Sequence, residues 1–588
     1  GANYNVAIGD SAAENLTTGT ESVFVGGLAG DAITTASANV AVGYSALSTE
    51  DTMGNNVAVG YKALQDLNAG SNGNTVAIGA EAGRRLSTGI KNTIVGALAG
   101  DHLTTGNYNV AIGYQALTAE DGDGRNVAIG YNTLRDQNAG ADAYNIAIGY
   151  EAGKVISTGT NNTIIGGLAG DAILAGSNDV LIGKGAGTDL TSGESNVAIG
   201  TSALGSETTG HDNTAVGHQA LTTLNTGSSG YNTAVGRRAG YVMSTGIQNT
   251  IIGANAGDAI TSGSYNTALG YNALSTEDAG NYSVAIGTSA LRDQDAGNAY
   301  NVGVGYYAGK DVTSGTSNTY IGGTAGASAT TGSHNTGIGR DALGVINTAS
   351  DNTAVGSSAL YGITTGTQNT AIGRQAGGTI QIADWNVAVG HRALYTCTDS
   401  SRNIAIGYKA LELHNRIGPT ESGYNVGIGF QAGAAMTTAQ NNILIGGLSG
   451  GALTTGAENV AIGMQSLENE TAYGRNVAMG FQALRAQDAG ADAYNVAIGY
   501  YAGGLMSTGV RNTIVGGQAG DALTTGTDNV AVGNQALGGE DTGTKNTAVG
   551  SYALQDLNYG GAGYNTAIGY VAGQDISTGR YNVIVGAH

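Results

Sequence analysis

The chain has 588 residues, among which are 102 Gly, one Pro, one Cys and one Trp. Glycine at this level without a Gly-X-Y period excludes collagen, and a hydrophobic share of 41% is too high for a disordered chain. A formal net charge of −21 argues against nucleic acid and anionic lipid as partners. No apolar run is long enough to cross a membrane, so membrane insertion is not expected.

The first residues read "GANYN" and contain no initiator methionine. This beginning predicts that the chain is the interior of a longer or processed protein.

A phrase of the form Asn-Val-Ala-Ile-Gly recurs from one end of the chain to the other. Its last residue, called here the key glycine, occurs 34 times from Gly9 to Gly586. Most successive key glycines are 17 residues apart, with five gaps of 19, one of 18 and one of 22. Such a unit is too short for a helical hairpin, and its Val, Ile and Thr residues indicate strands. We therefore predict an all-β fold, a parallel β-solenoid of 34 coils, with residues 1–588 forming a single continuous array.

Positions in a coil are numbered from the key glycine, so that Val6 lies at −3 and Ile8 at −1 of the Gly9 coil. Position −3 is always β-branched and position −1 always aliphatic, which predicts that both face the core. Position −2 is mostly Ala and never charged, so this strand is apolar on both faces. We expect a second copy of the chain to cover position −2, and Glu in place of Ala147, Ala215 and Ala371 to break that assembly.

Position −4 is Asn in 30 of the 34 coils; the exceptions are Ser22, Thr75, Asp179 and Ser283. Asn side chains stacked at one position can pass hydrogen bonds from coil to coil. The pattern predicts a structural Asn ladder at a turn.

The second half of each coil predicts how a thin core is filled. Position +3 is Ala in 30 of 33 coils, and position +4 is Leu in 16 and Gly in 16. Where +4 is Gly, position +7 is normally aliphatic, as at Leu86, whereas Leu at +4 is often followed by a polar residue such as Glu50. One large side chain per coil would then come from either place and keep the core volume constant. The alternation mostly runs in pairs and defines modules of four coils and about 70 residues.

The longer coils carry insertions rich in Asn, Asp and Gly, which are typical of turns. Examples are "QDLNAGSNGN" at 65–74 and "RAQDAGADAY" at 485–494. The widest insertion, at 411–423, contains the only proline, Pro419. We expect these segments to protrude from the solenoid as knuckles.

The run "GYNTAIGYVAG", with its recurrent N-V/T-A-I/V-G-x-x-A pattern, resembles the head repeats of YadA-like trimeric autotransporter adhesins. It is similar as well to repeats in the shafts of some bacteriophage tail fibres. The resemblance covers the whole chain, although the 17-residue coil is longer than the usual coil of the family. It implies a left-handed β-roll, three chains side by side as a homotrimer, and a place outside a cell or on a virion.

No candidate for catalysis, cofactor binding or metal binding stands out. The seven histidines form no ligand-spaced cluster and are expected at the surface: His102, His211, His218, His334, His391, His414 and His588. Cys397 is expected to be a buried residue at a position elsewhere aliphatic. The segment "IGKGAG" at 182–187 lacks the spacing of a phosphate-binding loop.

Acidic pairs recur about once per module, at Glu50-Asp51, Glu120-Asp121, Glu277-Asp278 and Glu540-Asp541. Solvated turns are the interpretation we favour, because exposed carboxylates are the usual case. Calcium contact is a second interpretation, for which "EDGDGRN" at 120–126 is the best candidate. A glycosidase pair is the third, but a catalytic pair is needed once and these recur.

Tyrosine is abundant, with 30 copies against three Phe, and many lie at positions +1 and −5. An exposed Tyr suits contact with sugar or protein, but the regular spacing favours rings that stack along the solenoid and shield its turns.

These patterns predict a structural protein rather than an enzyme, a fibre shaft or adhesin head that attaches to a cell-surface glycan or protein. One alternative is an ice-binding solenoid, suggested by triplets such as Thr34-Thr35, Thr104-Thr105 and Ser157-Thr158 with the following Gly. The Leu-type coils interrupt these triplets, which argues against a flat Thr array. Another alternative is a polysaccharide-degrading phage tailspike.

Overall fold

The computed structural model describes residues 3–52, 54–70, 72–119, 121–122, 124–415 and 422–587. All of its regular secondary structure is β, in strands of three residues that each end immediately before a key glycine. The chain divides into two compact units, Gly1–Ala299 and Tyr300–His588.

The described residues of the first unit form seventeen strands, and neighbouring strands within the unit are hydrogen-bonded in parallel in chain order. Their bounds are β1 (Val6–Ile8), β2 (Val23–Val25), β3 (Val40–Val42), β4 (Val57–Val59), β5 (Val76–Ile78), β6 (Thr93–Val95), β7 (Val110–Ile112), β8 (Val127–Ile129), β9 (Ile146–Ile148), β10 (Thr163–Ile165), β11 (Val180–Ile182), β12 (Val197–Ile199), β13 (Thr214–Val216), β14 (Thr233–Val235), β15 (Thr250–Ile252), β16 (Thr267–Leu269) and β17 (Val284–Ile286).

The second unit repeats this arrangement with seventeen further strands. Their bounds are β18 (Val302–Val304), β19 (Thr319–Ile321), β20 (Thr336–Ile338), β21 (Thr353–Val355), β22 (Thr370–Ile372), β23 (Val387–Val389), β24 (Ile404–Ile406), β25 (Val426–Ile428), β26 (Ile443–Ile445), β27 (Val460–Ile462), β28 (Val477–Met479), β29 (Val496–Ile498), β30 (Thr513–Val515), β31 (Val530–Val532), β32 (Thr547–Val549), β33 (Thr566–Ile568) and β34 (Val583–Val585).

The register of these strands keeps equal positions together. Thr214, Ala215 and Val216 of β13 lie beside Thr233, Ala234 and Val235 of β14, although the gap between their key glycines is 19 residues. Backbone bonds join the coils outside the strands as well, for example from Leu47 N–H to the Ala63 carbonyl at 2.9 Å. The predicted parallel β-solenoid with a 17-residue period is confirmed in both units.

The key glycines lie where successive coils approach most closely. Gly253 has a φ of +136°, and a Cβ added to it would lie 2.5 Å from the Gly270 carbonyl oxygen. An L-residue would be strained in this conformation and would also collide with the next coil. This is why glycine closes every strand.

Other corners of the coils also adopt the left-handed region, and many of them do so at residues other than glycine. In the Gly113 coil, φ is +61° at Tyr108, +52° at Gln115 and +52° at Leu117, which are positions −5, +2 and +4. Such values are uncommon outside Gly, Asn and Asp. The coils hold them by hydrogen bonds from backbone N–H groups at these corners to neighbouring coils, such as Leu117 N–H to the Thr133 carbonyl at 2.9 Å.

The core lies inside each coil, and it contains the face of the strand that we predicted to be outside. The −2 residue is fully buried within its own chain, as at Ala147, Ala215 and Ala371, whereas positions −3 and −1 face outward and are half-buried or exposed. The prediction that −3 and −1 form the core, and that Ala at −2 forms an interface, was therefore wrong. A coil with this many tight corners is thin, so position −2 is mostly Ala, and the outward side of the strand carries branched side chains.

The predicted exchange of volume between positions +4 and +7 is confirmed. Leu47 and Leu64 at +4 are fully buried, and so are Leu86 and Leu103 at +7 of Gly-type coils. The exchange of volume also involves position −2, where Tyr320 is fully buried. A Cβ at Gly326, which is position +4 of this coil, would lie 2.3 Å from the Tyr320 ring.

The Asn ladder is confirmed as well. The backbone N–H of Asn109 donates to Oδ1 of Asn92 at 2.8 Å, and that of Asn126 donates to Oδ1 of Asn109 at 2.9 Å. The Nδ2 of Asn92 donates to the carbonyl of Gly106, 14 residues later, at 2.9 Å. An Asn that makes both bonds joins two coils and closes a turn of its own, which requires an amide that can both donate and accept.

Candidate functional site

The outward side of the strands is a regular surface that the coils leave uncovered. It consists of positions −3 and −1 and is called here the outward face. Its side chains are half-buried or exposed in all 34 strands. Examples are Ile78 and Ile372, with 42% and 43% of their surface exposed.

The outward face is apolar and uncharged. Position −1 is Ile, Val, Leu or Met in every strand, and position −3 is Val or Ile in 21 strands and Thr in 13. Seventeen strands at about 4.8 Å, each contributing three residues at about 3.3 Å, give each unit a strip of about 800 Å². The largest apolar patch on a typical monomer covers about 300–600 Å². The strip therefore has the extent of an interaction surface.

Aromatic rings border the outward face at positions +1 and −5. Tyr131 stacks between Tyr114 and Tyr150, with ring centroids 5.5 and 5.4 Å apart. On the −5 side, the Arg125 guanidinium lies 5.5 Å from the ring centre of Tyr108 and 5.4 Å from that of Tyr144. The expectation that Tyr rings stack from coil to coil is confirmed at these positions.

The acidic pairs are only partly exposed, and the expectation of solvated turns was wrong for their glutamates. Glu50, Glu277 and Glu540 are fully buried at position +7. Glu277 Oε1 accepts a hydrogen bond from Gly280 N–H at 2.6 Å, and Glu540 Oε1 accepts one from Gly543 N–H at 2.7 Å. These carboxylates close the turn that follows them. Glu120 lies outside the described residues.

Burial changes the titration of several carboxyl groups. It raises the pKa of Glu277 and Glu540 above the usual value for glutamate, and it raises that of Glu470 to about 7. In the Asn ladder, burial raises the pKa of Asp179 to about 7. Desolvation disfavours the charged form of each carboxyl, so the folded protein retains these protons more strongly than the unfolded chain does.

Asp179 occupies a place in the ladder that suits an amide. Its Oδ1 accepts from Asn196 N–H at 2.8 Å, as an Asn Oδ1 does, whereas its Oδ2 is buried without a hydrogen-bond partner. At this place in other coils, an Nδ2 donates to the glycine carbonyl 14 residues later. Only a protonated carboxyl can do the same, which is consistent with the raised pKa.

His414 is fully buried at position +7, and its Nε2 lies 3.0 Å from Ser400 Oγ. The expectation of a surface position was wrong for this histidine. The other histidines of the described residues are half-buried or exposed, and His588 lies outside those residues. Cys397 is fully buried at position +7, as predicted, and burial raises the pKa of its thiol to about 12.

The hydroxyl groups of the Thr and Ser triplets bond to neighbouring coils. Thr34 Oγ1 donates to the Asp51 carbonyl at 3.0 Å, and Ser157 Oγ donates to the Leu174 carbonyl at 3.0 Å. The first hydroxyl of these triplets therefore joins coils instead of forming an open array.

Two other predictions fall partly outside the described residues. The calcium candidate at 120–126 includes Glu120 and Asp123, and the widest insertion includes Pro419; none of these three is described. Elsewhere, Gly70 and Gly490 of two such insertions face open space, since a Cβ at either would meet no atom within 4 Å.

Within the described ranges, no three or more His, Cys, Asp and Glu residues are grouped so as to hold a metal ion. The same part of the chain contains no helix that is long and apolar enough to span a bilayer.

Comparison with known proteins adds no family. No protein-family model matches the sequence, and no curated protein matches it either.

Proposed function

We propose that the chain is a structural component of an extracellular fibre, a shaft or an adhesin head, in which outward faces pack together in a side-by-side homotrimer. The observation that carries this proposal is the uncharged strip of positions −3 and −1 in each unit. The resemblance of the repeats to YadA-like adhesin heads and tail-fibre shafts supports the trimer, the fibre and the extracellular location. The trimer interface is thus the outward face, whereas position −2 fills the core.

A second copy of the same chain is the partner that fits this strip best. Each coil presents nearly the same two side chains, so the surface repeats at the strand spacing of about 4.8 Å. A second copy of the chain has the same period, so its rows of outward side chains can pack against these rows over many coils. Closed symmetric assemblies bury such faces. A sheet that is apolar on both sides is normally covered on both sides.

The test is the mass of the chain in solution, measured by sedimentation equilibrium. The unmodified protein should have the mass of three chains. Replacing Ile338 and Ile372 together by Glu places charges on the outward face of β20 and β22, where burial against another chain would be costly. This variant should sediment as a single chain and keep its β-sheet circular dichroism, because neither residue lies in the core.

Thr365→Glu is the matched control. Thr365 is exposed at position +9 and lies outside the outward face, so the control should remain a trimer. A single-chain mass for the unmodified protein, or a trimer that tolerates both Glu residues, would contradict the proposal.

Ice binding is a second candidate, and runs of Thr on the outward face favour it. Thr319, Thr336, Thr353 and Thr370 stand at position −3 of four successive strands, β19 to β22. They form a regular row of methyl and hydroxyl groups at the strand spacing, unlike the interrupted triplets. Thermal hysteresis that is lost when Thr336 and Thr353 are replaced by Lys would support this candidate over the trimer.

A further inference from the structure

A lateral groove in the second unit carries features that neither the core nor the outward face requires. It is lined by Asp341, Ser358, Tyr361, Gln375, Gly378 and Tyr395 and has a volume of about 290 Å³. We call it the ring groove. Its residues lie at positions +2 and +5 of successive coils, and none of them lies at −3 or −1.

The groove exists because a glycine separates two tyrosines in the +5 column. Tyr361, Gly378 and Tyr395 follow one another in three successive coils, so the backbones of the two tyrosines are about 9.6 Å apart. The Tyr395 ring lies over Gly378, where a Cβ would come within 2.8 Å of Cε2. The Tyr361 ring lies over Gly344 in the same way, at 2.7 Å. Both rings therefore lean in the same direction along the solenoid, with a gap between them.

Polar groups around the gap are available to a ligand. The side chains of Ser358 and Gln375, and the hydroxyls of Tyr361 and Tyr395, make no hydrogen bond to another described residue. Asp341 differs, since it accepts from Thr324 Oγ1 and pairs with Arg340 at 3.4 Å. The groove thus offers two rings, three hydroxyls and an amide, with its one carboxylate already engaged.

A second groove in the same unit shows what this part of the coil is like without the rings. It has a volume of about 250 Å³ and is lined by Asp521, Gln535, Gly538, Gly539, Gln555 and Asp556. In the coil numbering, Asp521, Gly538 and Gln555 correspond to Tyr361, Gly378 and Tyr395. We call it the ringless groove.

The glutamine side chains of the ringless groove are paired within the protein. Gln535 donates to Gln518 at 3.2 Å, Gln555 to Gln535 at 3.0 Å, and Gln574 to Gln555 at 2.9 Å. The backbone is the same in both grooves, so the rings and unpaired polar groups are particular to the ring groove.

We propose that the ring groove binds a neutral carbohydrate, with one sugar ring held between Tyr361 and Tyr395. A sugar ring has apolar C–H faces that pack on aromatic rings and a rim of hydroxyls that bond to groups such as Ser358 and Gln375. The two-coil spacing of about 9.6 Å leaves room for one sugar ring, which packs at about 3.5–4.0 Å on one tyrosine while its hydroxyls reach the polar groups beside the other.

Two cations beside the groove are engaged within the protein: Arg340 pairs with Asp341, and Arg392 pairs with Glu412 at 2.9 Å and lies 4.3 Å from the centre of the Tyr395 ring. Because these charges are already paired and the chain is acidic, the sugar is uncharged.

The test is binding of the full chain to an array of oligosaccharides that contain neutral hexoses, 6-deoxyhexoses and N-acetylhexosamines, with sialylated and sulfated glycans beside them. The strongest neutral oligosaccharide is then titrated by calorimetry. The unmodified chain should bind, and the double variant Y361D/Y395Q should lose affinity at least tenfold. This variant reproduces the residues of the ringless groove, so it is expected to fold; circular dichroism checks that it does.

Tyr241→Ala is the control. Tyr241 is at position +5 as well, but Ser275 and Gly205 occupy that position two coils away on either side, so it has no partner ring. This variant should bind as the unmodified chain does. The proposal is overturned if no neutral glycan binds, if Y361D/Y395Q binds within twofold of the unmodified chain, or if the groove-dependent ligand is anionic.

The sugar-binding proposal rests on the proposed adhesive function, and it names the class of ligand. The experiments can nevertheless contradict sugar binding and trimer formation independently of each other. A chain that sediments as a trimer but binds no neutral sugar would contradict only the sugar-binding proposal. A single-chain mass with sugar binding intact would contradict only the proposed trimer, because no groove residue lies on the outward face.

Discussion

The two sides of each strand differ in size rather than in polarity. Inside the coil, position −2 is mostly Ala, while outside, positions −3 and −1 carry Val, Ile, Leu, Met or Thr. In most globular sheets the larger apolar side chains face the core and polar ones face water. Here the interior beside most strands has room for a methyl group at −2, because the buried large side chain of each coil normally comes from +4 or +7, so larger apolar groups lie outside the strand. In a solenoid this thin, the volume of a residue indicates the interior better than its hydrophobicity does.

Placing a charge on each side of one strand is the most severe test of this difference. Ala215 of β13 is fully buried, and Val216 beside it faces outward. Ala215→Glu should cost about 4 kcal/mol or more, because it brings a large charged group into a filled core. Val216→Glu should leave the fold of the coil intact.

Hydrogen exchange of the amides in β12 to β15 measures both effects, since each coil depends on its neighbours. Protection should be lost around Ala215→Glu and kept in Val216→Glu. Equal loss of protection in the two variants would mean that the two sides of the strand do not differ as described.

Asp179, a carboxyl group that is buried in the native sequence, provides a second test with a smaller expected effect on stability. Burial raises the folded pKa of Asp179 to about 7, above its unfolded value of about 3.8. Its contribution to stability is therefore most favourable below about pH 4, falls as the pH rises toward 7, and is constant above that. Asp179→Asn removes this loss and gives Gly193 a donor for its carbonyl. At pH 8 the substitution should stabilise the protein by roughly 2–4 kcal/mol.

Thermal unfolding at pH 5 and pH 8 measures the effect of Asp179→Asn. The rise in melting temperature should be larger at pH 8 than at pH 5, because the folded carboxyl is mostly protonated at pH 5. A rise of equal size at both values would show that charge at residue 179 is not the cause. Asp278→Asn, at an exposed carboxylate, is the control and should change neither value.

The smallest effect is expected outside the coil, in the aromatic border of the outward face. Tyr131→Ala removes the middle ring of the stack with Tyr114 and Tyr150 and should cost about 0.5–1.5 kcal/mol beyond the loss of buried area. The control is Tyr271→Ala at the same position +1, since the Tyr271 ring stacks on no described neighbour. Thermal unfolding that fell equally in both variants would show that stacking contributes nothing.

Much of the fold was predictable because its repeat is short and regular. The key glycine predicts each strand end, and Asn at −4 predicts the ladder. The side of the strand that faces inward was not predictable from alternation alone, since alternation shows which residues share a face but not which face is inside. The alternative residues at −2 were a usable signal, because a large −2 residue such as Tyr320 coincides with small ones at +4 and +7.

The buried glutamates were missed because charge was taken as a sign of exposure. Position +7 was already predicted to be inside in Gly-type coils, and Glu50 and Leu86 share that position. The same backbone geometry directs both side chains inward, so register was the better guide. The ring groove had a signal as well: Tyr361 and Tyr395 are 34 residues apart in a column that is otherwise mostly small or polar, with Gly378 between them.

The direction of the bonds between coils has a mechanical consequence. Bonds such as Val40 N–H to the Asn56 carbonyl at 2.8 Å lie along the stacking direction, and the strands lie across it. Tension on a unit along that direction would load the bonds of one coil at a time and release roughly 50 Å of chain per coil. A single unit would therefore lengthen stepwise under load, dissipating work at each step, while strands packed against other chains would resist peeling.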